Sequence, residues 1–311
     1  MAAQDGTLDA RLFDDDDDAE DLVFKQPLDA LVTQASTPAR AAAQIDEWVV
    51  SEANRRYREL EERNPPFELA DDESLYLVGP NASRHMHMLF DSVARLCSAF
   101  EPGSTAQDAL VDFIVQLKAL PKHNVPHSRF DEDENPVGND RLLLWPLGTP
   151  SAKVFMLAFH REAEDLAYPF SDVEEPNSES QQRWRNLQSF IARITTLDLI
   201  DCSEVCALFY ILPSSHMYPD LEKRGSGGIN RIAGDLKAAA QWLLGHSVRQ
   251  WVYERCRKNA EDAADGSREV WSMRNWKTWK EQMAFIAEDE RFSEETRLLA
   301  RSLLEKMDTQ G

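Results

Sequence analysis

The sequence predicts an all-α fold, and three observations support this prediction. Apolar residues recur at spacings of three and four along most of the chain. Helix-start signals precede several of these segments, and no run of alternating β-branched residues indicates a sheet. We therefore expect one multi-helix domain of about nine or ten helices over residues 26–311, after a disordered acidic tail over residues 1–25.

The tail prediction depends on the acidic run from Asp14 to Asp18. Such a run repels itself and buries too little apolar surface to offset the entropy cost of ordering. The run also satisfies the DDxxD pattern with which terpenoid cyclases bind magnesium and diphosphate. Because five consecutive aspartates satisfy that pattern trivially, a solvated charge run is the preferred interpretation.

Capping signals predict where several helices begin and end. Thr37-Pro38 supplies an N-cap and a first-turn proline for a helix that ends near residues 64–66. Ser104 and Gln107 have the spacing of a capping box, and Pro121 ends the helix that follows. Ser293 is expected to cap the last helix.

Apolar periodicity predicts the remaining elements. The longest predicted helix covers residues 229–258, and the segment nearest to a strand is 153–159. Three segments rich in turn residues are predicted to be loops. They are 121–139, 169–177 and 213–228.

Composition excludes some classes of partner. The net charge of −21 disfavours nucleic acid, because binding phosphates requires cationic side chains. No apolar run is long enough for a membrane span, and the N-terminus does not resemble a secretory signal. The four cysteines lack disulfide or zinc-site spacing, so we expect buried thiols and a cytoplasmic protein, with the nucleus as the alternative.

Residue motifs predict no metal site and no catalytic residues. The histidines at 85, 87, 123 and 127 lack the spacing of a zinc site, and no nucleophile elbow or phosphate loop occurs. The glycines of 225–228 favour a flexible helix entry over an anion site. If the protein has a pocket, we expect the longest helix to line it. The predicted ligand-binding residues are Trp242, His246 and Tyr253, with Arg231 and Asp235 near the entrance.

Four segments together resemble a known family. They are 184–193, 238–243, 276–283 and 289–307. The chain resembles the filamentous-fungal family of unknown function that includes the oxopyrrolidine biosynthesis cluster protein OpdG, in order of elements over residues 28–308 and most specifically in the C-terminal half. The resemblance implies an all-α fungal protein, some of whose relatives lie in secondary-metabolite gene clusters. It implies no catalytic residues.

Three functions fit these observations. The first is an accessory protein of secondary metabolism that binds an apolar small molecule or a protein partner and needs no cofactor. The second is an atypical sesquiterpene cyclase that acts on a prenyl diphosphate with magnesium. This chain departs from the second metal-binding motif of cyclases, since Arg231 follows Asn230 and the nearest helical acid is Asp235. The third is a protein-interaction scaffold.

Overall fold

The computed structural model describes residues 8–130, 136–167, 176–262 and 270–310, and these are mostly helical. They form eleven α-helices, short 3-10 turns and one two-stranded hairpin, so the helices outnumber the nine or ten expected. The helices and strands up to residue 196 are α1 (Ala19–Val32), α2 (Pro38–Glu61), α3 (Leu75–Val78), α4 (Ala82–Ala99), α5 (Thr105–Ala119), β1 (Asn124–Phe130), β2 (Pro136–Leu143), α6 (Lys153–Ala167) and α7 (Glu179–Thr196). The later ones are α8 (Leu221–Ala239), α9 (His246–Asp262), α10 (Met273–Glu288) and α11 (Glu294–Asp308).

Contacts divide the described chain into two compact units. The described residues of 11–96 and 105–158 form the N-terminal unit, and the described residues of 1–10, 97–104 and 159–311 form the C-terminal unit. The predicted boundary between tail and helical domain, at residue 25, falls inside α1. The division of the chain into domains stays a prediction.

Helix α2 is central to the N-terminal unit, where it packs against α1, α5 and β1. Thr37 caps it through a bond from the Arg40 amide, and the helix ends three residues before Asn64, as its sequence predicts. Its buried face has the expected helical spacing. That face consists of Ala41, Ala42, Ile45, Val49, Ala53 and Leu60, each at most 1% exposed.

The β-hairpin begins in the predicted loop over 121–139 and extends past its end to Leu143. Strands β1 and β2 pair antiparallel with Asn124 opposite Leu143. The buried Asp46 carboxylate on α2 accepts a hydrogen bond from the Trp145 indole at 2.7 Å and lies 3.3 Å from His123 Nε2. These contacts fix the open end of the hairpin, where β1 begins and β2 ends, to α2. Periodicity does not reveal them because the partners are distant in sequence. Segment 153–159, the candidate strand, is helical and begins α6.

The prediction of a disordered tail is wrong for residues 8–25. Asp14 and Asp17 both pair with Lys25, which is only 7% exposed, and Asp14 also lies 2.8 Å from Arg95. Asp18 caps α1, so the helix begins at Ala19 rather than after residue 25. The acidic run is ordered because several of its carboxylates bind cations or amides; residues 1–7 lie outside the described residues.

The C-terminal unit has a core rich in tryptophan. Helix α7 packs against α8 and α9, and α10 packs against α9 and α11. Trp242 and Trp279 are fully buried, and their indoles donate to the Gln188 side chain at 2.7 Å and to the Leu208 carbonyl at 2.9 Å. All four cysteines are buried free thiols, as expected.

Two features of α8 and α9 differ from the single helix predicted over residues 229–258. Helix α8 starts at Leu221, inside a predicted loop, and its backbone departs from helical geometry at Gly225, where φ is 53°. The chain then leaves the helix after a 3-10 turn ending at Trp242, and α9 begins at His246. Because the apolar pattern continues across Gly245, periodicity predicts one helix where the backbone forms two.

Trp242→Ala is expected to lower the free energy of unfolding by about 3–5 kcal/mol, because it leaves a cavity and an unpaired Gln188 amide oxygen lone pair. Urea denaturation monitored by circular dichroism measures this loss. An unchanged transition midpoint would contradict the core position of the ring. Trp251→Ala, at a half-buried position on α9, is the control and should cost less.

Asp18→Ala should destabilise the protein by about 1 kcal/mol, because it removes the acceptor for the Glu20 and Asp21 amides. Asp18→Asn should be nearly neutral, since asparagine caps helices as well as aspartate does. Thermal denaturation of both variants tests this pair. Equal losses would show that the charge of Asp18, and not its capping bond, supports α1.

Candidate functional site

The N-terminal unit contains an open cleft of about 580 Å3. Helices α1, α2, α3 and α4 contribute its walls. The lining residues are Asp18, Ala19, Glu20, Val23, Trp48, Glu52, Arg56, Leu77 and Arg84. Apolar and ionic side chains therefore meet in one cleft.

The carboxylate of Glu20 is bound by side chains from two other helices. Arg56 of α2 bonds Oε1, and Arg84 of α4 bonds Oε2. His85 Nε2 lies 3.1 Å from Oε1. Burial by itself raises the pKa of Glu20, but the bond from His85 and the positive charges nearby outweigh burial and lower the pKa to about 2. Glu20 is thus a fixed anion that joins α1, α2 and α4.

Arg56 is held by acceptors besides Glu20. Its Nε donates to Glu52 Oε1 at 2.5 Å, and its Nη1 donates to the Leu77 carbonyl at 2.6 Å. Glu52 also accepts two bonds from Arg55, at 2.6 and 2.9 Å. Burial raises the pKa of Glu52, whereas the bonds from both arginines lower it, with a net decrease. Glu20, Glu52, Arg56 and Arg84 form the ionic wall of the cleft, and their hydrogen bonds hold this wall in place before any ligand binds.

Aromatic rings support the same wall from inside the unit. Trp48 is half-buried and packs edgewise on Phe24 and His85, with centroid distances of 5.3 and 4.9 Å. His85 is fully buried, and its Nδ1 has no hydrogen-bond partner among the described residues. The Arg84 guanidinium lies 5.8 Å from the centroid of the Tyr76 ring. These contacts fix the positions of Trp48 and Arg84 at the cleft.

Asp18 has a different environment from the other two acids of the cleft. Its Oδ1 accepts bonds from the Glu20 and Asp21 amides at 2.7 and 3.0 Å. Its Oδ2 accepts no hydrogen bond from the described residues, and it forms no ion pair with them. Asp18 is thus the one carboxylate lining the cleft that lacks a cationic partner within the described chain.

The predicted ligand-binding residues all lie in the C-terminal unit. Arg231 Nε and Asp235 Oδ2 form a buried pair at 2.8 Å on α8, and Trp184 donates to Asp235 Oδ1 at 3.2 Å. Burial raises the pKa of Asp235 more than Arg231 and Trp184 lower it. Both residues are buried, with 6% of Arg231 and 3% of Asp235 exposed.

The other three predicted residues have separate surroundings. Trp242 is in the core, whereas His246 is exposed at the start of α9 and its Nδ1 lies 3.4 Å from Arg249 Nη2. Tyr253 is half-buried against Trp276, with a centroid distance of 5.1 Å. The break before α9 removes the single lining helix on which the prediction depended. A role of these residues in ligand binding stays a prediction.

The cleft was not predicted from the sequence. Glu20 lies in the segment interpreted as a tail, and Arg56 and Arg84 have no motif spacing with it. One signal was present: Asp18 and Asp21 have the three-residue spacing of a capping box, which indicates a helix start inside the acidic segment.

The described residues contain no group of three or more histidine, cysteine, aspartate or glutamate side chains placed to hold a metal ion. Within the same ranges, no helix has both the length and the apolar character that crossing a membrane requires.

Glu20→Gln should lower the free energy of unfolding at pH 7 by roughly 1.5–3 kcal/mol, because it removes the charge from three hydrogen bonds. The folded-state pKa of Glu20 is about 2 and its ordinary value is 4.5, so its contribution is complete above pH 4.5 and is lost as the pH falls toward 2. Urea denaturation from pH 7 to pH 3 should therefore show the difference between wild type and variant decreasing below pH 4.5.

Glu59→Gln provides the matched control on the surface of α2. Glu59 is 56% exposed and pairs with Arg55 at 2.6 Å, so its loss should cost only about 0.3–0.5 kcal/mol. A Glu20 effect that is as small as this, or that is independent of pH, would contradict the buried ionic role of Glu20.

Comparison with known proteins identifies a family. Residues 87–283 match the family model described as "Protein of unknown function (DUF3632)". No curated protein and no solved structure matches the chain. The matched span starts after Arg84, so all the residues lining the cleft precede it, whereas all five predicted ligand-binding residues lie within it. The span covers more than half of the sequence, and the chain therefore belongs to the DUF3632 family of proteins of unknown function.

Proposed function

We propose that this protein is an accessory binding protein that holds a small amphipathic molecule in the cleft between α1, α2, α3 and α4. The cleft itself is the observation that supports the proposal. Its volume of about 580 Å3 is within the range of about 300–1,000 Å3 typical of small-molecule sites. Val23, Trp48 and Leu77 supply apolar contact, and the ionic wall supplies polar contact.

Preorganisation of the polar wall favours binding. Arg56 has acceptors on Glu20, Glu52 and Leu77, so it needs no ligand to fix its conformation. A site whose side chains are already ordered loses less conformational entropy on binding. The exposed Leu77 side chain, at 58%, leaves apolar surface for a ligand to cover.

The ionisation of the cleft favours binding over acid–base catalysis. A general acid or base works best with a pKa near the operating pH. The pKa of Glu20 is lowered to about 2, and that of Glu52 is also lowered. Both carboxylates therefore stay ionised and bound to arginine at neutral pH.

The cyclase alternative receives less support from the carboxylates. Magnesium and diphosphate need acids that are free to coordinate the metal. Of the aspartates in the DDxxD pattern, Asp14 pairs with Lys25 and Asp18 caps α1 through Oδ1, and in the cleft Glu20 pairs with Arg56. Asp14 and Glu20 would have to leave their cations before they could bind a metal ion.

The biological setting of the proposal depends on the resemblance to the OpdG family. That resemblance favours a fungal protein and a role in secondary metabolism; a protein partner at the cleft and an interaction scaffold are the alternatives. We propose a cytoplasmic location, because the four free thiols are typical of a reducing compartment. The net charge of −21 argues against nucleic acid as the partner.

Leu77→Glu tests the proposal, because it adds a charge to the apolar wall at an exposed position and should leave the fold intact. Saturation-transfer NMR with a library of aromatic fragments, neutral and charged, would identify ligands of the wild type. We expect Leu77→Glu to weaken the binding of the neutral fragments at least several-fold, because it replaces apolar contact with a charge.

Leu298→Glu is the matched control, since Leu298 is exposed to a similar extent, 52%, on α11. It should leave fragment binding unchanged. If no fragment binds, or if the two variants behave alike, the cleft is not a ligand site.

A further inference from the structure

Charge balance in the cleft indicates which class of ligand it accepts. Three acids and two arginines line it. Glu20 is neutralised by Arg56 and Arg84, and Glu52 by Arg55 and Arg56. Asp18 is exposed and has no cationic partner among the described residues, and the lining side chains by themselves have one more carboxylate than guanidinium group.

Asp18 also supplies the carboxylate oxygen of the cleft that accepts no hydrogen bond from the described residues. Both capping bonds of Asp18 end on Oδ1, and Oδ2 accepts none from the described residues. A ligand that donates to Oδ2 leaves the start of α1 intact, whereas an anionic ligand meets an unneutralised carboxylate. The net charge of −21 adds to this preference, since it raises the local concentration of cations.

The apolar wall determines the rest of the ligand. Trp48 is half-buried and lines the cleft together with Val23 and the exposed Leu77. An indole ring attracts an organic cation through its π electrons in addition to providing apolar contact. A compact inorganic cation gains little from this wall, but an ammonium group attached to an apolar body uses both features.

We propose, on the basis of the function proposed above, that the ligand of the cleft is an amphipathic organic monocation. Its ammonium group pairs with Asp18 Oδ2, and its apolar body packs against Trp48, Val23 and Leu77. The ion pairs of Glu20 and Glu52 stay intact and orient the wall.

Three probes of nearly equal size separate the effect of charge from that of shape. They are 2-phenylethylammonium, 2-phenylethanol and 3-phenylpropionate. Isothermal titration of the full chain at low ionic strength should give the order ammonium, alcohol, carboxylate, from tightest to weakest. Added salt should weaken the binding of the ammonium and leave that of the alcohol unchanged.

Asp18→Asn is the decisive variant, because it removes the charge and keeps the helix cap. It should reduce the preference for the ammonium over the alcohol by roughly 1.5- to fivefold, the range of one solvent-exposed ion pair. Asp16→Asn is the control, since Asp16 is an exposed member of the same acidic run but does not line the cleft. It should leave the preference unchanged.

The outcomes separate this inference from the proposed function. If the alcohol binds as tightly as the ammonium, or if Asp18→Asn and Asp16→Asn have equal effects, the ligand is not selected by its charge. Loss of binding in Leu77→Glu would then still support a ligand in the cleft. If none of the three probes binds the wild type, the inference is wrong, and the fragment experiment decides the proposed function separately.

Discussion

The ion pairs of Glu20 are the interaction on which the candidate site depends. This carboxylate, near the start of α1, receives Arg56 from α2 and both Arg84 and His85 from α4. Without it, two guanidinium groups would lie close together with no shared counter-ion, a costly arrangement in a partly buried place. The same contacts position Trp48 and Arg84, so the shape of the cleft and the order of the N-terminal segment have a common origin.

Local signals predicted local structure well. Thr37 and Ser293 cap α2 and α11 where the sequence indicated, because a cap depends on residues within one turn. The acidic run was misinterpreted because its order depends on Lys25 and on Arg95, which is remote in sequence. The hairpin was missed for the same reason, since Trp145 and Asp46 are far apart in the chain.

Candidate site residues were harder to predict than helices. A buried histidine or arginine in an apolar helix has the same sequence pattern whether it binds a ligand or a neighbouring side chain. Arg231 and Asp235 illustrate this, since their spacing of four allows an ion pair within α8 and gives no information about a pocket. The cleft combines residues from four helices with no common spacing, so only the packing of those helices brings its side chains together.

Helix α4 connects the cleft to the part of the chain that defines the family. Arg84 and His85 occupy its first turn, and the family match begins at residue 87 on the same helix. Two of the three side chains that bind Glu20 therefore lie on the helix in which the matched segment begins, whereas Arg56, Asp18, Trp48 and Leu77 come from elements before it. The contacts of Glu20 thus join the elements that form the cleft to the helix that leads into the family segment. The side chains that we propose to select the ligand belong to the elements that precede the matched segment.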